Sequence, residues 1–158
     1  MRLILMVCVS LLVGCSKPEL QLELQLELQP EFVDVEGNGI SLAELQSKPL
    51  IVNYWATWCA PCIKEIPELN ELAEKHANEI NVIGVNFDQP GPDEQLKQVR
   101  KMKIEFPVLA GEPSEKLGVT IPRVLPTTYV FAAGGKLVAT LVGPQTGNSL
   151  LAALEADG

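Results

Sequence analysis

Histidine occurs once in this 158-residue chain, at His76, and aromatic residues make up only 5% of it. A structural zinc site needs four ligands, and with Cys8 and Cys15 assigned to a targeting segment, Cys59, Cys62 and His76 fall short of that number. Covalent haem attachment requires a histidine directly after the second cysteine of its motif, where Ile63 stands. Positive charge is scarce too: 12 Lys and Arg oppose 20 Asp and Glu, for a net charge of −8. Nucleic-acid recognition normally leaves a basic stripe or patch, which is missing here. The sequence therefore implies no metal, no cofactor and no nucleic-acid partner.

Long apolar runs are also lacking. Leu3 to Val13 follows the single charge of Arg2, and is too short for a spanning helix of roughly 20 apolar residues. It reads as a signal peptide over residues 1–14. Leu12-Val13-Gly14-Cys15 resembles the lipobox of bacterial lipoproteins, which implies that Cys15 becomes the lipidated first residue after cleavage. Taken alone, the residues also allow an ordinary secretory peptide with an incidental cysteine. Ser16 is compatible with an outer-membrane destination in a two-membraned cell. The expected location is the cell envelope, facing the periplasm or another extracytoplasmic space.

Residues 15–30 read as anchor and low-complexity tether. Leucine fills every even position from Leu20 to Leu28, with Glu or Gln between. Such strict alternation suits a strand, because in a helix the same leucines would spread round every side.

The domain is expected over residues 31–158. Gly37-Asn38-Gly39 is a turn signal between two short strands, and Ser41-Leu-Ala-Glu44 fits a capping box. Leu50 to Trp55 is a buried strand and is followed by a helix from about Cys59 to Ala77, with an apolar stripe of Ile63, Ile66, Leu69 and Ala73 and a kink expected at Pro67. Asn81 to Phe87 is a second buried strand and Asp93 to Lys103 a second long helix, so the first two strands run parallel with a right-handed crossover. Phe106 to Leu109 reads as extended and Glu112 to Leu117 as a short helix. Thr127 to Ala132 and Lys136 to Val142 flank the hairpin signal Gly134-Gly135, and Asn148 to Ala156 closes the chain as a helix capped by Asn148 or Thr146. The fold class is α/β.

Trp58-Cys-Ala-Pro-Cys62 places two thiols where a strand meets a helix. The first turn of a helix has unpaired N–H groups and the positive end of the dipole, and both favour thiolate over thiol. Two intervening residues allow a small disulfide ring, so one thiol can attack a substrate and the other can release the mixed disulfide. Cys59, at the tip, is the expected nucleophile and Cys62, one turn inside, the resolving thiol. A redox-inert disulfide is disfavoured, because so small a ring stabilises little.

From Val52 through Cys62, with Pro67 and Leu125-Pro-Thr-Thr128, the chain resembles the thioredoxin superfamily and its membrane-tethered thiol-disulfide oxidoreductases of TlpA and ResA type. The resemblance spans about Glu31 to Ala156. It implies a thioredoxin-like fold, with a mixed central sheet flanked by helices and an N-terminal β-hairpin extension. It also implies a redox-active disulfide between Cys59 and Cys62, a cis Pro126, and a substrate-binding surface from Trp58, Ala60, Pro61, Leu125, Pro126 and Thr127. Thioredoxin itself has a buried aspartate where this chain has Asn53. Asp88, after the second parallel strand, is a candidate to accept the proton of Cys62, the alternative being a solvated loop carboxylate or helix-flanking residue. Implied partners are protein thiols and disulfides, a membrane thiol electron donor, and the membrane itself through Cys15. Reduction of selected extracytoplasmic disulfides, as in cytochrome c maturation, leads. A dithiol oxidase or isomerase, or a Cu(I)-binding metallochaperone-like protein, is the alternative.

Overall fold

The computed structural model describes residues 30–156; the leader, Cys15 and the leucine repeat lie outside the described residues. The chain begins with a hairpin of β1 (Phe32–Val33) and β2 (Gly39–Ile40), then α1 (Leu42–Gln46). Strand β3 (Leu50–Trp55), helix α2 (Ala60–Lys75) and strand β4 (Asn81–Asn86) follow, with β3 and β4 parallel. Next come α3 (Pro92–Met102), β5 (Val108–Leu109) and α4 (Ser114–Leu117). Strands β6 (Thr127–Phe131) and β7 (Leu137–Val142) and helix α5 (Gly147–Glu155) complete the described residues. The five-stranded sheet has the order β5-β4-β3-β6-β7, with β3 antiparallel to β6 and β6 antiparallel to β7. The hairpin continues past its β5 edge through Val35 N–H to Val108 O at 2.9 Å and Ala110 N–H to Val33 O at 2.8 Å. This is the mixed sheet with flanking helices and separate hairpin expected from the resemblance.

Strand alternation divides the core. Ile51 and Trp55 of β3 face Ile66, Leu69 and Leu72 of α2 and Leu150 of α5. Leu50, Val52 and Tyr54 face the other way, toward Leu45 of α1, Leu117 of α4 and Phe32 of β1. Successive side chains on a strand point to opposite faces, so Asn53, in step with Ile51 and Trp55, is aimed at α2. Gly84 of β4 makes room for this packing, because a Cβ there would lie 3.0 Å from Trp55 Nε1 and 3.1 Å from both Phe106 and Val108 side chains. Between β6 and β7, Gly134 and Gly135 both adopt positive φ, as the turn signal requires.

Several local expectations are corrected. The buried stripe of α2 is Cys62, Glu65, Ile66, Leu69 and Leu72, whereas Ile63 is 47% exposed. Cys62 rather than Ile63 starts the inward face, while Ile66 and Leu69 lie on it as expected and Ala73 packs partly buried against it. At α1, Ser41 Oγ accepts from Glu44 N–H at 3.0 Å, but the second capping bond comes from Glu31, whose Oε2 accepts from Leu42 N–H at 2.7 Å. That bond holds the Glu31 carboxyl below its ordinary range. At α5 the cap is Thr146, in a reciprocal box with Ser149. Among the described residues, no helix is long and apolar enough to cross a membrane.

Candidate active site

Helix α2 begins where β3 ends, so the last sheet hydrogen bonds and the first helical turn fix the cysteines between them. Cys59 is the N-cap of α2, and its Sγ accepts from Cys62 N–H at 3.2 Å. Side-chain acceptors are favoured there because the first N–H groups of a helix have no partner within it. Pro61 costs nothing at this position, since a proline in the first turn gives up only an N–H without an intrahelical acceptor. The cysteines are joined as a disulfide with Cα atoms 5.3 Å apart. Cys59 keeps a little exposure while Cys62 has none, at 4% and 0%.

Around the exposed tip of Ala60 and Pro61 the surface is apolar. Trp58 is 63% exposed. Its indole N–H donates to Asp88, 3.0 Å from Oδ2 and 3.2 Å from Oδ1, and its ring meets Phe87 edge-on at 6.4 Å. Asp88, the candidate proton acceptor, is thus an exposed carboxylate bonded to Trp58. The Leu125–Pro126 peptide bond is cis. Pro126 O accepts from Gly143 N–H at 2.9 Å, and Thr127 Oγ1 donates to Val124 O at 2.8 Å. Leu125 packs against the core cluster that contains both cysteines.

One buried carboxylate beside the thiols escaped the sequence reading. Glu65 lies three residues after Cys62 on the same face of α2 and is 2% exposed. Its Oε1 accepts from Asn53 Nδ2 at 2.7 Å and its Oε2 from Gln145 N–H at 2.8 Å. Burial pushes the Glu65 carboxyl up from its ordinary value, against the downward pull of the Gln145 N–H and the Asn53 amide. A buried acid shifted toward neutrality and one turn from a buried thiol is suited to exchanging a proton with it. The available signal was its spacing, because Cys62, Glu65, Ile66 and Leu69 share one helical face.

A groove of about 630 Å³ runs along the opposite end of the sheet, where Ala73 and Ala77 of the α2 end face Asn81 at the start of β4. Its lining contains neither Cys59 nor Cys62.

The AhpC/TSA family profile matches residues 13–140. The chain belongs to the AhpC/TSA family. Among its relatives, a thiol-disulfide oxidoreductase ResA of Bacillus cereus is 34% identical over 125 residues, covering 77% of this chain and 71% of the relative. The thioredoxin-like protein YneN of Bacillus subtilis (strain 168) is 30% identical over 127 residues, covering 78% and 73%. Two solved structures share its fold. A DsbF homologue from Corynebacterium diphtheriae matches with a TM-score of 0.67 and 25% identity, covering 78% of this chain and 80% of that one. The exposed lipoprotein thioredoxin Etrx1 of Streptococcus pneumoniae matches with a TM-score of 0.66 and 25% identity, covering 79% and 96%. The fold is thioredoxin-like, and this family member is a thiol-disulfide oxidoreductase.

Proposed function

We propose that the protein is an extracytoplasmic, lipid-tethered reductase of selected protein disulfides, working through Cys59 and Cys62. The observation that carries this reading is the thiol pair at the tip of α2, with Cys62 N–H donating to Cys59 Sγ. In the forward reaction Cys59 thiolate attacks a substrate disulfide, forming a mixed disulfide and releasing one substrate thiolate. Cys62 then gives its proton to Glu65 and attacks Cys59 Sγ, which closes the Cys59–Cys62 disulfide and frees the second substrate sulfur as thiolate. Protonation of that leaving group completes a two-electron reduction of the substrate. A membrane thiol donor returns the pair to its dithiol form.

The charge around the thiols supports the reducing direction. Strong oxidants stabilise their reduced thiolate. Here the Cys62 N–H meets Cys59 Sγ. Glu65 lies behind Cys62, and its negative charge would disfavour a second one. A weakly stabilised thiolate gives a reducing couple. Trp58, Ala60, Pro61 and the Leu125-Pro126-Thr127 segment form the docking surface for an extended substrate peptide. Asp88 orients Trp58 in this scheme, and Glu65 takes the proton.

Residues 1–14 serve as the leader, Cys15 as the lipid attachment point, 15–30 as the tether and 31–158 as the catalytic domain. The lipobox-like Leu12-Val13-Gly14-Cys15 supports this division, as does the likeness to a pneumococcal protein described as an exposed lipoprotein thioredoxin. Trapping tests the proposal. Cys62→Ser should accumulate mixed disulfides on Cys59 in cells of the source organism, and Cys59→Ser should accumulate none. Capture by Cys59→Ser alone would reverse the roles, and capture by neither would contradict the reading.

A further inference from the structure

Asn53 is fully buried in β3, and its amide is used asymmetrically. Nδ2 donates both hydrogens, to Glu65 Oε1 at 2.7 Å and to Thr128 Oγ1 at 3.0 Å, while Oδ1 has no partner among the described residues. An acceptor without a donor in the core is destabilising, so this placement needs a reason. Thr128 lies directly across from Asn53 in the β3–β6 register, two residues past the cis Pro126. The neighbours of Glu65 are uncharged on every side that meets it: Asn53 from β3, Thr128 behind it on β6, and the Gln145 backbone from the loop after β7. On its own helix the flanking titratable groups are Cys62 and Glu68, the latter bonded to Gly147 N–H at 3.1 Å.

The two oxygens of Glu65 differ in what they can meet. Oε2 faces a backbone N–H, which only donates. Oε1 faces a side-chain amide, which holds a donor and an acceptor on one planar group and whose terminal torsion is roughly two-fold. A half-turn of that amide brings Oδ1 to where Nδ2 now lies. There it accepts from a protonated Glu65 and from the Thr128 hydroxyl, whose hydrogen rotates freely.

We propose that Asn53 is the positioning residue of Glu65 in both of its protonation states, donating to the carboxylate and, after a half-turn, accepting from the carboxylic acid. This rests on Glu65 exchanging the proton of Cys62 during resolution of the mixed disulfide. When Cys62 S–H transfers its proton to Oε1, the amide turn keeps the carboxyl bonded and in place while the Cys62 thiolate attacks Cys59. An aspartate at this position is an acceptor only when ionised, and two adjoining buried carboxylates have to share one proton. The neutral amide avoids that conflict, and the idle Oδ1 is the half of it held for the second state.

The test compares pH profiles of mixed-disulfide resolution in wild type, Asn53→Leu, Asn53→Asp and Glu65→Gln, with NMR of the unaltered protein beside them. Asn53→Leu should slow resolution about tenfold and displace the acid limb. Asn53→Asp should move that limb to higher pH, and Asn53→Leu combined with Glu65→Gln should be no slower than Glu65→Gln alone. In wild type, the Asn53 side-chain amide resonances should titrate with the midpoint of the Glu65 carboxyl carbon. If Glu65→Gln shifts the profile while Asn53→Leu and Asn53→Asp leave it as in wild type, the Asn53 role is overturned and the Glu65 role stands. If Glu65→Gln leaves the profile unchanged, the Glu65 role fails and the Asn53 role with it. Asn53 amide resonances that ignore the Glu65 titration would overturn the proposal without any variant.

Discussion

Glu65 Oε1 lies 2.7 Å from Asn53 Nδ2, a buried hydrogen bond that ties the helix of Cys59 and Cys62 to the central strand of the sheet. The same carboxylate accepts from Gln145 N–H, and Gly143, two residues earlier, donates to Pro126 O. The acid behind Cys62 and the cis-proline segment are therefore held by one loop.

Removing the acid should slow the second half of the reaction. General acid–base groups contribute typically 10²–10⁴-fold, and water can partly replace this one, so Glu65→Gln should slow mixed-disulfide resolution by about 10²-fold. Initial attack by Cys59 should change little. Stopped-flow tryptophan fluorescence with a peptide disulfide separates the two steps, and equal loss in both would assign Glu65 a structural role.

Stability should carry a signature of the same group. Because burial raises the Glu65 carboxyl, the folded protein holds this proton to higher pH than the unfolded chain does. Its contribution is therefore complete below the ordinary glutamate value and is lost as pH rises through the folded-state value. Urea unfolding of the oxidised protein should show stability falling over that window in wild type but not in Glu65→Gln. Parallel curves would show that the carboxyl is not shifted in solution.

The Trp58 and Asp88 pair separates docking from proton transfer. Trp58→Ala should raise KM for a peptide disulfide about tenfold, equivalent to ~1.4 kcal/mol, with little effect on a small aliphatic disulfide. Asp88→Asn keeps an acceptor for the indole and should leave the resolution rate near wild type. A slow Asp88→Asn beside a normal Glu65→Gln would make Asp88 the proton acceptor.

Under the site, Leu69 is fully buried between α2 and the sheet. Leu69→Ala should cost about 3 kcal/mol in unfolding free energy, as a buried leucine replaced by alanine does, with the thiol–disulfide equilibrium unchanged. A loss below about 1 kcal/mol would mean that the helix is not seated as described.

The elements most readable in the sequence were those in which local preference and burial agree. Leu50 to Trp55 is a strand both by composition and by its place at the sheet centre, and Gly134-Gly135 can turn a hairpin whatever surrounds it. Cys59 and Cys62 were legible because their chemistry depends on spacing. Glu65 was not, because the apolar stripe drawn through Ile63, Ile66, Leu69 and Ala73 passes it by. Only the meeting of α2 with Asn53 and Gln145, contacts spanning 12 and 80 residues of chain, makes that position a buried acid site. The capping of α1 by Glu31, 11 residues away, was hidden for the same reason. Asp88 drew attention through the resemblance, some of whose members carry a carboxylate in the loop after the second parallel strand, but its bond to Trp58 depends on a turn that sequence spacing does not specify.

The direction of the reaction is the central claim, and the reduction potential of the Cys59–Cys62 couple tests it most directly. Equilibration with glutathione and dithiothreitol buffers at neutral pH, read by tryptophan fluorescence, should give a value near the roughly −270 mV of thioredoxin. A value near the roughly −120 mV of DsbA would contradict the account and make the protein a dithiol oxidase.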